Sequence, residues 1–160
     1  MQDKILVVRR PRSATIDESP PRKAKQRRLS LGDLKDDANL LLTSLIEALN
    51  DFFPDHDFHS TTAERFLLLD VGQCMRDVNR RLLELRGLDL RFVHSLWTTI
   101  NDAVSLKAAE VFSYIPDNID DPFSDNTIWS FNYFIVDKIS GNICYFTCIA
   151  KRYIIRNNRF

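Results

Sequence analysis

From Trp129 to Ile149 the chain runs Trp129-Ser130-Phe131-Asn132-Tyr133-Phe134-Ile135-Val136, passes the turn residues Ser140-Gly141-Asn142, and enters a second apolar stretch at Ile143-Cys144-Tyr145-Phe146-Thr147-Cys148. Two strand-length runs of β-branched and aromatic residues joined by a glycine-containing reversal predict an antiparallel hairpin. Side chains alternate along a strand, so Trp129, Phe131, Tyr133 and Ile135 share one side while Ser130, Asn132, Phe134 and Val136 share the other. Packing of these rings in a core is the preferred reading. Asn132 is then the exception that informs: once buried it must find hydrogen-bond partners, and so it fixes strand register or a neighbouring loop instead of adding apolar area.

Upstream the periodicity changes. Leu40, Leu41, Leu45, Ile46 and Leu49 fall on one helical stripe, with Asp37 and Asn39 as capping side chains, and the helix should end near Phe53-Pro54. The segment from Asp55 to Thr62 reads as a loop whose Ser and Thr residues cap a second helix from about Ala63, and residues 66–86 are predicted helical. Gly87 separates it from a third helix over 90–109, with Phe92, Leu96, Ile100, Ala103 and Val104 on one face. Val111 to Tyr114 is a short strand ended by Pro116, and the acidic stretch from Asp117 to Asn126 is a loop. Helices first and strands after predict an α+β fold: an antiparallel sheet packed against helices, as a single domain with a disordered basic N-terminal tail. At 160 residues there is room for one domain of usual size.

The zero formal charge conceals a sharp division. Residues 1–28 carry nine Lys/Arg against three Asp/Glu, and the remainder holds 13 basic and 19 acidic residues. An asymmetry of this kind speaks of interaction or targeting. Residues 9–37 are rich in Arg, Lys and Pro and poor in large apolar side chains, which predicts disorder. The expected division is a regulatory tail over 1–37, a folded part over 38–153 and a short C-terminal tail over 154–160. Lys4 to Val8 is a five-residue apolar run suited to an edge strand or a sticky end. Within the tail, Arg22, Lys23, Lys25, Arg27 and Arg28 form a dense cationic run of the type that nuclear import receptors capture. Ser30 follows Arg27-Arg28-Leu29 in the pattern that basophilic kinases accept, Ser13 and Thr15 follow Arg10 and Arg12, and Ser19 precedes Pro20. Each phosphate adds about −1.5 to −2 charges, enough to offset local cationic charge.

Other chemistries find less support. Cys144 and Cys148 are about 13 Å apart along a strand, too far to share a zinc ion that holds sulfur at ~2.3 Å. Ordinary buried thiols are the better reading of the three cysteines, whose odd number argues against a disulfide framework. His56 and His59 are close in a loop, yet no second ligand pair accompanies them. The acidic loop lacks the spacing of a calcium-binding loop. No nucleophile elbow, phosphate-binding glycine loop, metalloprotease helix or nucleotide fingerprint is present, so no cofactor and no catalytic residue is assigned. The longest apolar stretches are shorter than the ~20 residues of a membrane-spanning helix. An aromatic sheet with a basic tail also fits a small RNA-binding protein, the alternative reading. That reading needs exposed rings and a basic strand, whereas the body here is acidic, so direct nucleic-acid binding is disfavoured.

Residues 41–152 resemble the later conserved part of the Maf family of global repressors of RNA polymerase III transcription, which is distinct from the leucine-zipper Maf proteins. The resemblance rests on Leu45 to Phe53 running into Pro54-Asp55-His56-Asp57-Phe58, on Leu96-Trp97 to Ile100, and on Val111 to Tyr114 with Pro116-Asp117. It continues through Asp120-Asp121-Pro122-Phe123, Trp129 to Phe134, Tyr145-Phe146 and Cys148. It implies a non-enzymatic repressor that binds RNA polymerase III around its clamp region and blocks engagement with the initiation factor TFIIIB, mainly through the Brf subunit. It also implies nutrient-responsive kinases and shuttling between nucleus and cytoplasm, the phosphorylated form being held inactive. Two departures stand out. The family's first conserved segment has at best a remnant in Ile5 to Val8, and its acidic C-terminal tail is replaced by Arg152 to Phe160. An incomplete or shortened chain is the expectation, with an unpaired sheet edge as its consequence.

Overall fold

In the computed structural model, which describes residues 4–8, 31–85, 89–116, 121–124 and 127–152, the predicted hairpin is the centre of the molecule. Its strands are Thr127–Asp137 (β4) and Ile143–Lys151 (β5), paired antiparallel with Phe131 opposite Cys148, Tyr133 opposite Phe146 and Ile135 opposite Cys144. Gly141 supplies the reversal at a φ of 72°, a conformation that costs other residues strain. The Asp137 carboxylate secures the turn by accepting from the amides of Ile139 at 2.8 Å and Ser140 at 3.3 Å. A bulge between Thr127 and Trp129 turns Ile128 out to solvent.

Ala109–Tyr114 (β3) lies on the other side of β4 and Phe66–Leu69 (β2) lies beyond it. Lys4–Val8 (β1) pairs with β5 along its whole length. The sheet order is β1-β5-β4-β3-β2, antiparallel throughout. The short N-terminal run is thus the edge strand that its composition allows, and the outer edge of β5 is paired.

The sheet is covered on both faces. On one side Leu31–Phe52 (α1) brings Leu45, Ala48 and Leu49 onto Phe134, Val136, Ile143 and Tyr145. On the other, Val71–Leu83 (α2) and Leu90–Ala103 (α3) set Cys74, Val78, Leu82, Val93, Leu96, Trp97 and Ile100 against Val111, Phe131, Tyr133, Ile135, Cys144, Phe146 and Cys148. The alternation read along β4 therefore feeds two cores, one for each parity. Burying a side chain of this size contributes about 1.5–3 kcal/mol, and Tyr145, Phe134, Leu45, Leu49, Ile100 and Ile135 are among the largest that are fully buried.

The α+β class and the antiparallel sheet against helices stand as predicted, but the run assigned to one helix over 66–86 is a strand followed by a helix. Phe66-Leu67-Leu68-Leu69 has no polar face and pairs with β3. Asp70 then opens α2 by accepting the Gln73 amide at 3.0 Å, an N-cap that the apolar count passed over. The third helix stops at Ala103 and not at 109, because Val104 is extended and Asn101 accepts the Leu106 amide at 3.2 Å in the turn that follows. Two stripe assignments also change: Leu40 is 56% and Phe92 41% exposed, while Val93 and Trp97 take the inner face of α3. The first helix begins at Leu31, within the stretch assigned to the tail, and ends as predicted.

Candidate functional site

Where β3 leaves β4, a side chain takes over the sheet's hydrogen bonding. The register that pairs Ala109 with Asp137 and Phe112 with Phe134 would set Tyr114 against Asn132, yet main-chain pairing stops at Phe112. The Tyr114 amide instead donates to Asn132 Oδ1 at 2.6 Å, and Asn132 Nδ2 donates to the Tyr114 carbonyl at 3.0 Å. The side-chain amide thus stands in for a peptide group. It holds the two strands together while letting them part, and Asn132, buried as expected, fixes the register.

Rings fill the opening. Phe53, after the last turn of α1, packs edge-on to Phe123 at 5.2 Å, and Phe58 packs edge-on to Tyr114 at 5.7 Å. Phe66 bridges Tyr114 and Phe134, each at 5.8 Å, and Phe134 stacks on Tyr145 at 4.4 Å. Several polar atoms inside this cluster are matched, the buried Tyr145 hydroxyl excepted. The Tyr114 hydroxyl donates to Asp121 Oδ2 at 2.9 Å and the Phe123 amide donates to Asp121 Oδ1 at 2.9 Å, which pins the buried turn Asp121-Pro122-Phe123 over the sheet. Asn50 accepts the Phe58 amide at 3.0 Å and ties the loop to α1.

The predicted motif residues fall on both faces of the sheet, Phe58, Phe123 and Phe134 in this cluster and Phe131 and Tyr133 in the core on the other side, and they divide by role. Phe58, Asp121, Pro122, Phe123, Phe131, Asn132, Tyr133 and Phe134 are buried and build the scaffold, while Ser130 and Trp129 are half-buried. Asp55 and Asp57 are exposed on the loop, and the His59 amide and imidazole beside Asp57 hold its carboxyl below the usual range. With Asp51 they form an acidic rim on a fixed base. The residues from 36 to 64 carry seven Asp/Glu and no Lys or Arg, so the stretch that carries this rim is acidic along its length, suited to a basic partner.

A second network lies on the opposite face and was not read from the sequence. Tyr133 donates from its hydroxyl to Asp77 Oδ2 at 3.0 Å, Asp77 pairs with Arg80 at 2.7 Å, and Trp97 Nε1 donates to Asn79 Oδ1 at 2.7 Å. Arg80 foremost holds the Asp77 carboxyl low, and burial foremost pushes the Tyr133 phenol up. The Arg81 guanidinium lies 5.8 Å from the centre of the Trp129 ring, which stacks on Phe131. Asp77 and Asn79 fall inside the misassigned 66–86 run, where only a correct helical phase would have placed Asp77 toward β4 and Asn79 toward α3.

Cys74, Cys144 and Cys148 are buried in the apolar layer, and burial pushes the Cys74 thiol up to about 12 and Cys144 to about 11. Among the described residues no His, Cys, Asp or Glu cluster is arranged to hold a metal ion, and no helix is long and apolar enough to cross a membrane. Ser13, Thr15, Ser19, Ser30, Arg22, Lys23, Lys25, Arg27 and Arg28 lie outside the described residues, as do the C-terminal residues from 153 onward.

The sequence profile described as Maf1 regulator matches residues 5–147. The chain belongs to the Maf1 regulator family. Its match opens inside β1, so the run judged a remnant lies within the matched region. Two curated relatives, both called repressors of RNA polymerase III transcription, are 35% identical over 119 residues in Dictyostelium discoideum and 30% identical over 103 residues in Schizosaccharomyces pombe. These alignments cover 71% and 63% of this chain but 42% and 43% of the relatives, so the chain spans less than half their length. Crystal structures of citrus MAF1 in two space groups superpose with TM-scores of 0.54 and 0.52, at 24% and 26% identity. Each superposition covers 74% of this chain, and 71% and 69% of the citrus chains. The Maf1 fold and the sandwich described above are thus the same architecture.

Proposed function

We propose that this chain represses transcription by RNA polymerase III, through protein–protein contact and not through catalysis. The observation that carries the reading is the division of the family's motif residues: the aromatic and amide members are spent on a rigid scaffold, and what they hold outward is a rim of carboxylates. The partner is then the polymerase itself, around its clamp region, with contact there preventing engagement with TFIIIB through its Brf subunit. Basic surfaces on that assembly complement the acidic field of residues 36–64. The basic N-terminal segment supplies the control, with nuclear import through Arg22 to Arg28 and phosphorylation by basophilic, nutrient-responsive kinases at Ser30, Thr15, Ser13 and Ser19. The chain shuttles, and the phosphorylated form is the cytoplasmic one.

The RNA-binding alternative is disfavoured, because Phe131, Tyr133 and Phe134, the rings it relied on, are at most 5% exposed. The test is a reconstituted RNA polymerase III transcription assay on a tRNA template. Added chain should lower transcript yield, and prior incubation with excess Brf-containing TFIIIB should protect it. For the control, Ser30→Glu with Thr15→Glu should move a fluorescent fusion out of the nucleus and Ser30→Ala should retain it. Full yield in the first assay contradicts the repressor reading, and an unchanged distribution in the second removes the switch.

A further inference from the structure

Among the described residues the sheet ends in β1 on one side and in β2 on the other. No described strand pairs with the outer side of β2. Such edges are usually blunted by shortness, Lys, Pro or a bulge; β2 is short at four residues, but it carries no Lys, Pro or bulge and presents Leu67 at 51% exposure on one face and Leu68 at 57% on the other, with Ile115 at 44% beside them.

The main-chain groups on that side follow from the ladder. The Ile115 amide donates to the Arg65 carbonyl at 2.8 Å, which makes Arg65 and Ile115 a bonded pair. Alternation along an antiparallel ladder then directs Leu67 and Leu69 toward β3 and turns Phe66 and Leu68 outward. The Phe66 N–H is already spent on the Ala63 carbonyl. The Phe66 carbonyl and both main-chain groups of Leu68 therefore form an acceptor, donor, acceptor row directed away from β3.

We propose that this edge docks an extended peptide of a partner protein by strand addition, apolar at alternate positions and basic at its flanks. Exposed Glu64 and Asp70 bracket the strand at its two ends, with half-buried Arg65 beside Glu64, and the net acidic bracket favours cationic flanks. A second copy is the poorer occupant. Laid antiparallel about Leu67, so that Phe66 faces the copy's Leu68, it brings Glu64 opposite the copy's Asp70, like charge on like. A four-residue edge about 14 Å long also falls short of the ~800 Å² per partner of a stable dimer. Main-chain bonding makes recognition tolerant of sequence, so one peptide of the right pattern suffices as a probe.

The probe is fluorescein-labelled acetyl-KRVTVTVRK-amide, titrated with the full chain and followed by anisotropy and by amide exchange. The expected result is saturable binding that slows exchange of the Leu68 amide. Leu68→Pro, which removes the outward donor without touching the bonds to β3, should weaken it at least tenfold. Because that variant risks misfolding, Leu67→Lys with Leu68→Lys serves as the second, keeping the main chain and repelling the peptide, with Ile139→Lys on the distant turn as an unaffected control. Absence of binding by the folded parent overturns the proposal, as does equal binding by both edge variants. Light scattering that shows a dimer dispersed by the edge variants overturns the choice of occupant in favour of a second copy. No polymerase enters the assay, so its failure leaves the repressor reading standing.

Discussion

Replacing Asn132 by Ala is the sharpest test of how the scaffold is held. The side chain is 4% exposed and serves both main-chain groups of Tyr114, itself 6% exposed, at the point where β3 no longer reaches β4. Truncation removes the side chain that both groups bond, at about 1–3 kcal/mol for each lost partner. The expected loss is therefore about 2–6 kcal/mol, out of the ~5–15 kcal/mol that a domain of this kind possesses. With a urea slope of ~2 kcal/mol/M, the unfolding midpoint should fall by about 1–3 M at unchanged slope. Asn132→Asp tests the donor separately, since it keeps an acceptor for the Tyr114 amide but sets an oxygen against the Tyr114 carbonyl. It too should destabilise. Urea unfolding followed by near-ultraviolet circular dichroism gives the magnitude, and amide exchange at Tyr114 gives the mechanism. A loss below 1 kcal/mol with the Tyr114 amide still protected would refute the claim that this amide replaces the ladder.

Other expectations follow from the same geometry. Tyr114→Phe deletes a hydrogen bond to the buried Asp121 carboxylate and should cost about 1.5–3 kcal/mol in urea unfolding. Asp137 is held below the ordinary carboxylate range, first by the Ile139 amide and then by Ser140 and Ser105. Its contribution is thus present above the unfolded value of ~3.9 and is lost as pH falls through the lower folded value. The stability gap between the parent and Asp137→Asn should accordingly narrow on going from pH 7 to strongly acid solution, and a gap that does not change assigns Asp137 no such part. Cys74 and Cys144, with thiols raised by burial, should resist iodoacetamide at pH 8 in the native chain and react once urea unfolds it. Prompt native labelling would mean that the layer under α2 opens.

What the sequence disclosed and withheld has physical reasons. The hairpin was legible because alternation, β-branched and aromatic content and a glycine turn all agree from Trp129 to Ile149. Asn132 was legible because a lone amide among rings needs partners. The 66–86 segment misled because four consecutive apolar residues carry no period, and the strand–helix boundary rests on the single cap Asp70. The covering of both sheet faces was hidden for a related reason, since Phe134 and Tyr133 are equally apolar whichever face a helix occupies. The candidate site was half legible. Asp121-Pro122-Phe123 and Phe58 were marked as motif residues, but that Tyr114 and Asn50 are what fasten them depends on contacts between residues seven to eighteen positions apart. The Asp77–Tyr133 bond, 56 positions apart, left no local trace.

The measurement closest to the central claim is a pull-down of purified RNA polymerase III by the folded chain, unphosphorylated and kinase-treated, at moderate salt with competitor RNA present. Contact through an acidic rim predicts binding that survives the RNA, weakens on phosphorylation, and drops when Asp51, Asp55 and Asp57 are changed together to Asn without loss of fold. Binding that the RNA abolishes, or no binding by a chain shown to be folded, would contradict it.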